Sequence, residues 1–97
     1  MTFQKIVDEM SGHVNESNYA YKQWYVGITS DIDSRLYGDH NVPKKDHWRI
    51  HSQADSSDIA RQVEEHFLAL GMDGGTGGGD SSSTHVYAYL KTSITNP

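Results

Sequence analysis

Tyr25-Val26-Gly27 closes a short aromatic and β-branched run, and Arg35 follows after a gap of seven residues. Read physically, the segment Tyr25 to Leu36 is a strand, a tight turn and a helix. One cation then sits on the helix flank near the strand end. That arrangement suits the handling of a phosphate, because a guanidinium fork matches paired phosphate oxygens. A second group of cations, Lys44, Lys45 and Arg49, lies with His47 and His51 in a local basic stretch. Any contact with DNA or RNA is expected there, through Lys44, Lys45, Arg49 and His51. The histidines also invite a metal reading, since His40 precedes His47 and His51. On a strand, however, residues four apart lie about 13 Å apart, too far to share one zinc ion.

Composition narrows the chemistry further. The chain has 97 residues and no cysteine, which excludes disulfides, thiolate zinc sites and a cysteine nucleophile. Its length fits one domain, residues 1–97, with a small core. The net charge is -5. An acidic chain lacks the global attraction for phosphates that dominates nucleic-acid affinity, so binding is expected to be local and weak. The first ten residues hold Lys5, Asp8 and Glu9 and no apolar h-region, and no run approaches the roughly 20 apolar residues of a membrane span. A cytoplasmic protein without membrane contact is the expectation.

The elements that must position these residues follow from periodicity. Phe3, Ile6, Val7 and Met10 recur at helical spacing, with Gly12 suited to the helix end and Asn15 to Asn18 turn-like. Trp24, Val26 and Ile28 alternate with Tyr25 and Gly27 as in a strand. Ser30 can cap a short helix from Asp31 to Tyr37 that stops at Gly38. His47 to Ser52 alternates as a second strand. Ser56 or Ser57 caps the longest helix, where Ile59, Val63, Phe67 and Leu70 trace one stripe and Gly71 ends it. Gly71 to Ser83 is a glycine and serine loop. It follows a helix and opens a strand, the reverse of a dinucleotide fingerprint, so it reads as a flexible connector. Thr84 to Thr92 is the third strand. The fold class is α+β, a small three-stranded antiparallel sheet flanked by helices. One sheet face is apolar. The other gathers Tyr25, His47, Arg49, His51, Tyr87, Tyr89 and Lys91, either to contact phosphates and bases or as the polar side of an ordinary antiparallel sheet.

Tyr25-Val26-Gly27, the seven-residue gap and Arg35-Leu36 resemble the second half of the GIY-YIG nuclease motif. Ala60-Arg61-Gln62-Val63-Glu64 is similar to the alanine-x-x-x-glutamate of that family's metal-binding helix. The first half, glycine-isoleucine-tyrosine, is absent ahead of Tyr25. His85-Val86-Tyr87 reads as a variant of it, with histidine for glycine, which makes the chain a circular permutation whose C-terminal strand takes the first-strand place. That arrangement requires the strand around Thr84 to Thr92 to pair antiparallel with Lys22 to Ile28. The resemblance implies a GIY-YIG-like domain hydrolysing phosphodiester bonds with Mg2+ or Mn2+. By it, Glu64 holds the metal, Arg35 the scissile phosphate, and Tyr25 and Tyr87 position the attacking water or phosphate. An alternative is a member without catalysis, serving as a binding or inhibitory module for a protein partner. The same residues also have plainer readings: Arg35 paired with Asp31, Glu64 solvated beside Glu65, and Tyr25 packing across strands.

Overall fold

Strand β1 (Trp24–Thr29), strand β2 (Arg49–Gln53) and strand β3 (His85–Leu90) form one antiparallel sheet in the order β1-β3-β2. The architecture is that of a computed structural model describing residues 1–75 and 81–97. Helix α1 (Phe3–Ser17) and helix α2 (Ser57–Ala69) complete the α+β fold, with a π-helical segment at Asp33–Asp39 and a 3-10 turn at Tyr21–Gln23. The expected pairing is present. Tyr25 lies opposite Tyr89, and Gly27 opposite Tyr87.

Period-2 alternation explains the core. Trp24, Val26 and Ile28 of β1 and Val86, Ala88 and Leu90 of β3 are buried on one sheet face, against Ala60, Val63 and Phe67 of α2 and Ile6, Met10 and Val14 of α1. The buried stripe of α2 is Ala60, Val63, Glu64 and Phe67, so Leu70, expected on it, is exposed. Ser56 caps α2 by accepting from the Ile59 amide, and Gly71 follows with φ of +114°.

Two helices differ in their bounds from the sequence-based expectation. Helix α1 runs through Gly12 to Ser17 and ends at Asn18 in the left-handed region. A glycine inside a helix costs about 1 kcal/mol, but here the extra turn buries Val14 and sets His13 edge-on to Trp24 and Trp48. The helix expected from Asp31 to Tyr37 starts later and winds wider: the His40 amide donates to Arg35 O, five residues back. Its entry is fixed by the Asp31 carboxylate, which accepts from the Ser34 amide and hydroxyl.

The tyrosine face is no open surface. The π-helical segment and residues 92–97 cover it, so that Tyr87 and Tyr89 are buried with Leu36 and Val42. Asn96 donates its amide to His40 O, and its carbonyl accepts from the His40 ring. The glycine connector is likewise anchored at its start. The Val26 amide donates to Asp73 O and the Asp73 amide to Trp24 O, a parallel bridge along the outer edge of β1. Residues 76–80 of that connector lie outside the described residues. Among the described residues, no helix is long and apolar enough to cross a membrane.

A candidate phosphodiester site at the edge of the sheet

Gly27 is the residue on which the site turns. It faces Tyr87 across the strand pair, and a Cβ at position 27 would fall 2.5 Å from Tyr87 Cζ and nearer still to its hydroxyl. Because glycine has no side chain, the Tyr87 ring lies across β1 and delivers its hydroxyl to the sheet edge. The group that Gly27 admits is the Tyr87 ring. There a small cleft of about 80 Å3 is lined by Tyr25, Gly27, Ile28, Arg35, Glu64, Gly75 and Tyr87. Four side chains singled out from sequence, Tyr25, Arg35, Glu64 and Tyr87, thus meet in one cleft from β1, the π-helical segment, α2 and β3.

Each group has a definite electrostatic state. Glu64 is 4% exposed, and burial raises its pKa above the ordinary carboxylate value. Arg61 opposes that rise, while Glu65 adds to it. Among the described residues, no hydrogen bond reaches the Glu64 carboxylate, so it is not the solvated group that a plain surface reading requires. The Arg35 guanidinium is held more firmly charged than usual, first by the Tyr87 hydroxyl beside it and then by Asp39. Its ion pair is with Asp39 at 3.4 Å, both partners well exposed, and not with Asp31, whose carboxylate is taken up by Ser34. Burial pushes the Tyr87 phenol up to about 12, although Arg35 pulls the other way. Tyr89 is raised as well, by burial and then by its neighbour Tyr25, whose ring stacks on it at 5.3 Å.

Behind the cleft stands His40, a residue that sequence reasoning treated only as a possible zinc ligand. It is 6% exposed. Its Nδ1 lies 2.6 Å from the Asn96 carbonyl, which can only accept, so Nδ1 carries the proton. The other nitrogen, Nε2, then accepts from the Tyr87 hydroxyl at 2.8 Å. Burial lowers the His40 pKa, which keeps the ring neutral and Nε2 free to accept. Tyr25 packs over the same ring at 4.7 Å between centroids. Nothing around Gly38-Asp39-His40-Asn41 marks the residue in sequence; only the β1–β3 pairing that brings Tyr87 to it gives it a role.

The basic stretch lies elsewhere. Lys44 and Lys45 are exposed on the loop before β2, with the Lys44 ammonium 5.2 Å from the centre of the Tyr37 ring. Arg49 is engaged internally: Nε donates to the Tyr37 hydroxyl at 3.1 Å, Nη1 to His47 O at 3.2 Å, and Nη2 to Lys44 O. His51 is exposed on β2, and His47 Nε2 contacts Leu90 O at 2.9 Å. None of these four cationic-stretch residues, Lys44, Lys45, Arg49 or His51, lines the cleft that holds Arg35 and Glu64.

The donor set bears on a metal ion. Among the described residues, no three His, Cys, Asp or Glu side chains stand close enough to hold one together. Zinc, which wants four close protein donors or three and a water, does not fit. Magnesium and manganese accept one carboxylate and complete their shell with water and phosphate oxygens, and the buried Glu64 carboxylate lining the cleft fits that chemistry. Compared with known protein families, curated proteins and solved structures, the chain matches none.

Proposed function

We propose that the chain hydrolyses a phosphodiester bond of DNA or RNA in the cleft at the edge of β1, with Mg2+ or Mn2+. The observation that carries this reading is the convergence of Tyr25, Arg35, Glu64 and Tyr87 from four separate elements on one cleft of phosphate size. The resemblance to the GIY-YIG nucleases names the same four residues, and the β1–β3 pairing is the one that a permuted member requires.

Glu64 is the residue that would hold the metal ion. When bound, the ion supplies positive charge to the non-bridging oxygens of the scissile phosphate. Arg35 supplies a second charge to the same oxygens, and its ion pair with Asp39 is exposed and weak enough to yield to a phosphate. Tyr25 and Tyr87 border the place of the attacking water. At neutral pH the Tyr87 phenol keeps its proton and directs it at His40 Nε2, which leaves an oxygen lone pair for the water. As water attacks phosphorus, its proton passes to the Tyr87 oxygen and the phenolic proton passes to His40. The leaving oxygen takes a proton from solvent. His40 takes that proton against the effect of its burial, with the bond from Nδ1 to Asn96 O favouring the charged ring and holding it in position.

The test is cleavage of single- and double-stranded DNA and RNA by the purified protein. Cleavage is expected only with Mg2+ or Mn2+, to vanish in Glu64→Gln, and to fall by about two to three orders of magnitude in Arg35→Ala. Activity untouched by Glu64→Gln overturns the proposal. Absence of cleavage on every substrate, together with no metal-dependent rise in Tm, favours instead the non-catalytic binding or inhibitory module.

A further inference from the structure

Strand β2 is an edge strand, and its phase decides what it offers. The Leu90 amide donates to Trp48 O and the Ala54 amide to Thr84 O. In an antiparallel ladder, bonded pairs alternate with unbonded ones, so the even-numbered residues of β2 bond to β3. Arg49, His51 and Gln53 therefore turn their N–H and C=O groups outward. Gln53 O already accepts from the Met1 ammonium at 2.9 Å. Among the described residues, nothing bonds to the outward backbone groups of Arg49 and His51.

A cleft of about 630 Å3 runs beside this edge, walled by His13, Trp48 and Ile50 on the core side and by Tyr37, Arg49 and His51 on the other. The apolar wall is half-buried at Trp48 and Ile50. The opposite wall carries Arg49, and the Lys44 ammonium stands over Tyr37 with Lys45 next in sequence, so that cations outnumber Asp46, the acidic residue of the lining. From these features we propose that the free edge of β2 docks an extended segment of a partner protein, with acidic and apolar residues alternating. Its backbone extends the sheet, its apolar side chains meet Trp48 and Ile50, and its carboxylates meet Lys44 and Lys45. Strand addition of this kind draws affinity from main-chain hydrogen bonds and specificity from alternate side chains.

Two other occupants fit less well. In a second copy of this chain, antiparallel pairing of β2 with β2 would bring two Arg49 side chains, with Lys44 and Lys45 beside each, onto one face, and like charges gathered across a strand pair are destabilising. A nucleic acid would offer phosphates, which accept but do not donate, leaving the outward carbonyls of Arg49 and His51 without partners. Arg49, the strongest phosphate ligand in the stretch, is also already engaged with Tyr37, His47 and Lys44.

The test is nuclear magnetic resonance on the full chain labelled with nitrogen-15, titrated with a capped peptide of alternating glutamate and valine. The Arg49 and His51 amides are expected to shift most. His51→Pro removes one outward N–H and no bond to β3, a place where an edge strand tolerates proline. It is expected to weaken peptide binding at least tenfold with an unchanged circular dichroism spectrum. Should that variant misfold, Lys44→Glu with Lys45→Glu serves instead, with the same tenfold loss expected and binding regained by a lysine-valine peptide. The proposal is overturned if the peptide leaves the Arg49 and His51 amides unmoved. It is equally overturned if a single-stranded oligonucleotide shifts them and the peptide does not, or if those shifts follow protein concentration alone.

Discussion

Glu64 is a carboxylate kept in the protein interior without a hydrogen bond from any described residue, at a cost to the fold that a plain core position would not carry. Its raised pKa fixes the sign of the pH dependence. The folded state binds the Glu64 proton more tightly than the unfolded chain does. Stability from this group is therefore complete below the ordinary carboxylate pKa and is lost as pH rises through the raised folded value. Glu64→Gln should accordingly raise Tm at neutral pH, and it should flatten the decline in stability that the parent shows as pH rises from the acid side. The same variant should lose any Tm increase that magnesium gives the parent. Thermal melts across pH, with and without the ion, check all three; a Tm at neutral pH lower than the parent's would contradict the account. Glu64 was legible in sequence through its spacing from Ala60 in Ala60-Arg61-Gln62-Val63-Glu64. His40 was not, because its neighbours are loop residues and its partners, Tyr87 and Asn96, are far along the chain.

At the level of elements, strand alternation carried most of the information. Trp24, Val26 and Ile28 and their counterparts Val86, Ala88 and Leu90 fixed both the buried face and the phase that puts Gly27 opposite Tyr87. The π-helical winding at Asp33–Asp39 left no such trace, since it depends on Leu36 reaching the Tyr87–Tyr89 cluster while Arg35 turns to one cleft and Tyr37 to the other. Gly27 ties element packing to the site. Gly27→Ala is expected to destabilise the protein by about 1–3 kcal/mol, the usual range for overpacking, because the Tyr87 ring cannot keep its path over an added methyl. Adding Tyr87→Leu, which removes the ring, should recover part of that loss. Urea unfolding of the two single variants and the pair measures the coupling, and additive effects would show that the ring had not been displaced.

For the whole molecule, charge sets the terms. With a net charge of -5 and Arg49 engaged internally, Lys44 and Lys45 are the exposed cations of the basic stretch. Duplex DNA binding, where it is detected, should be weak, with a log-log salt slope of roughly -2, the value for two phosphates neutralised. Lys44→Glu with Lys45→Glu should weaken it in a fluorescence-anisotropy titration; an unchanged affinity would place the contacts on another surface. Sheet order has a different kind of consequence. The strand at the centre, β3, is the last of the three in sequence, and β1 and β2 touch the sheet only through it. During synthesis, then, the first two strands leave the ribosome with no partner in this sheet. Helical turns can form in the nascent chain, but the sheet waits for residues 85–90. Pairings of such long sequence separation are slow to close, and unpaired strands exposed meanwhile invite association with other chains. Release of β3 is therefore the event that commits this chain to its fold, and the step at which a chaperone would have most to offer.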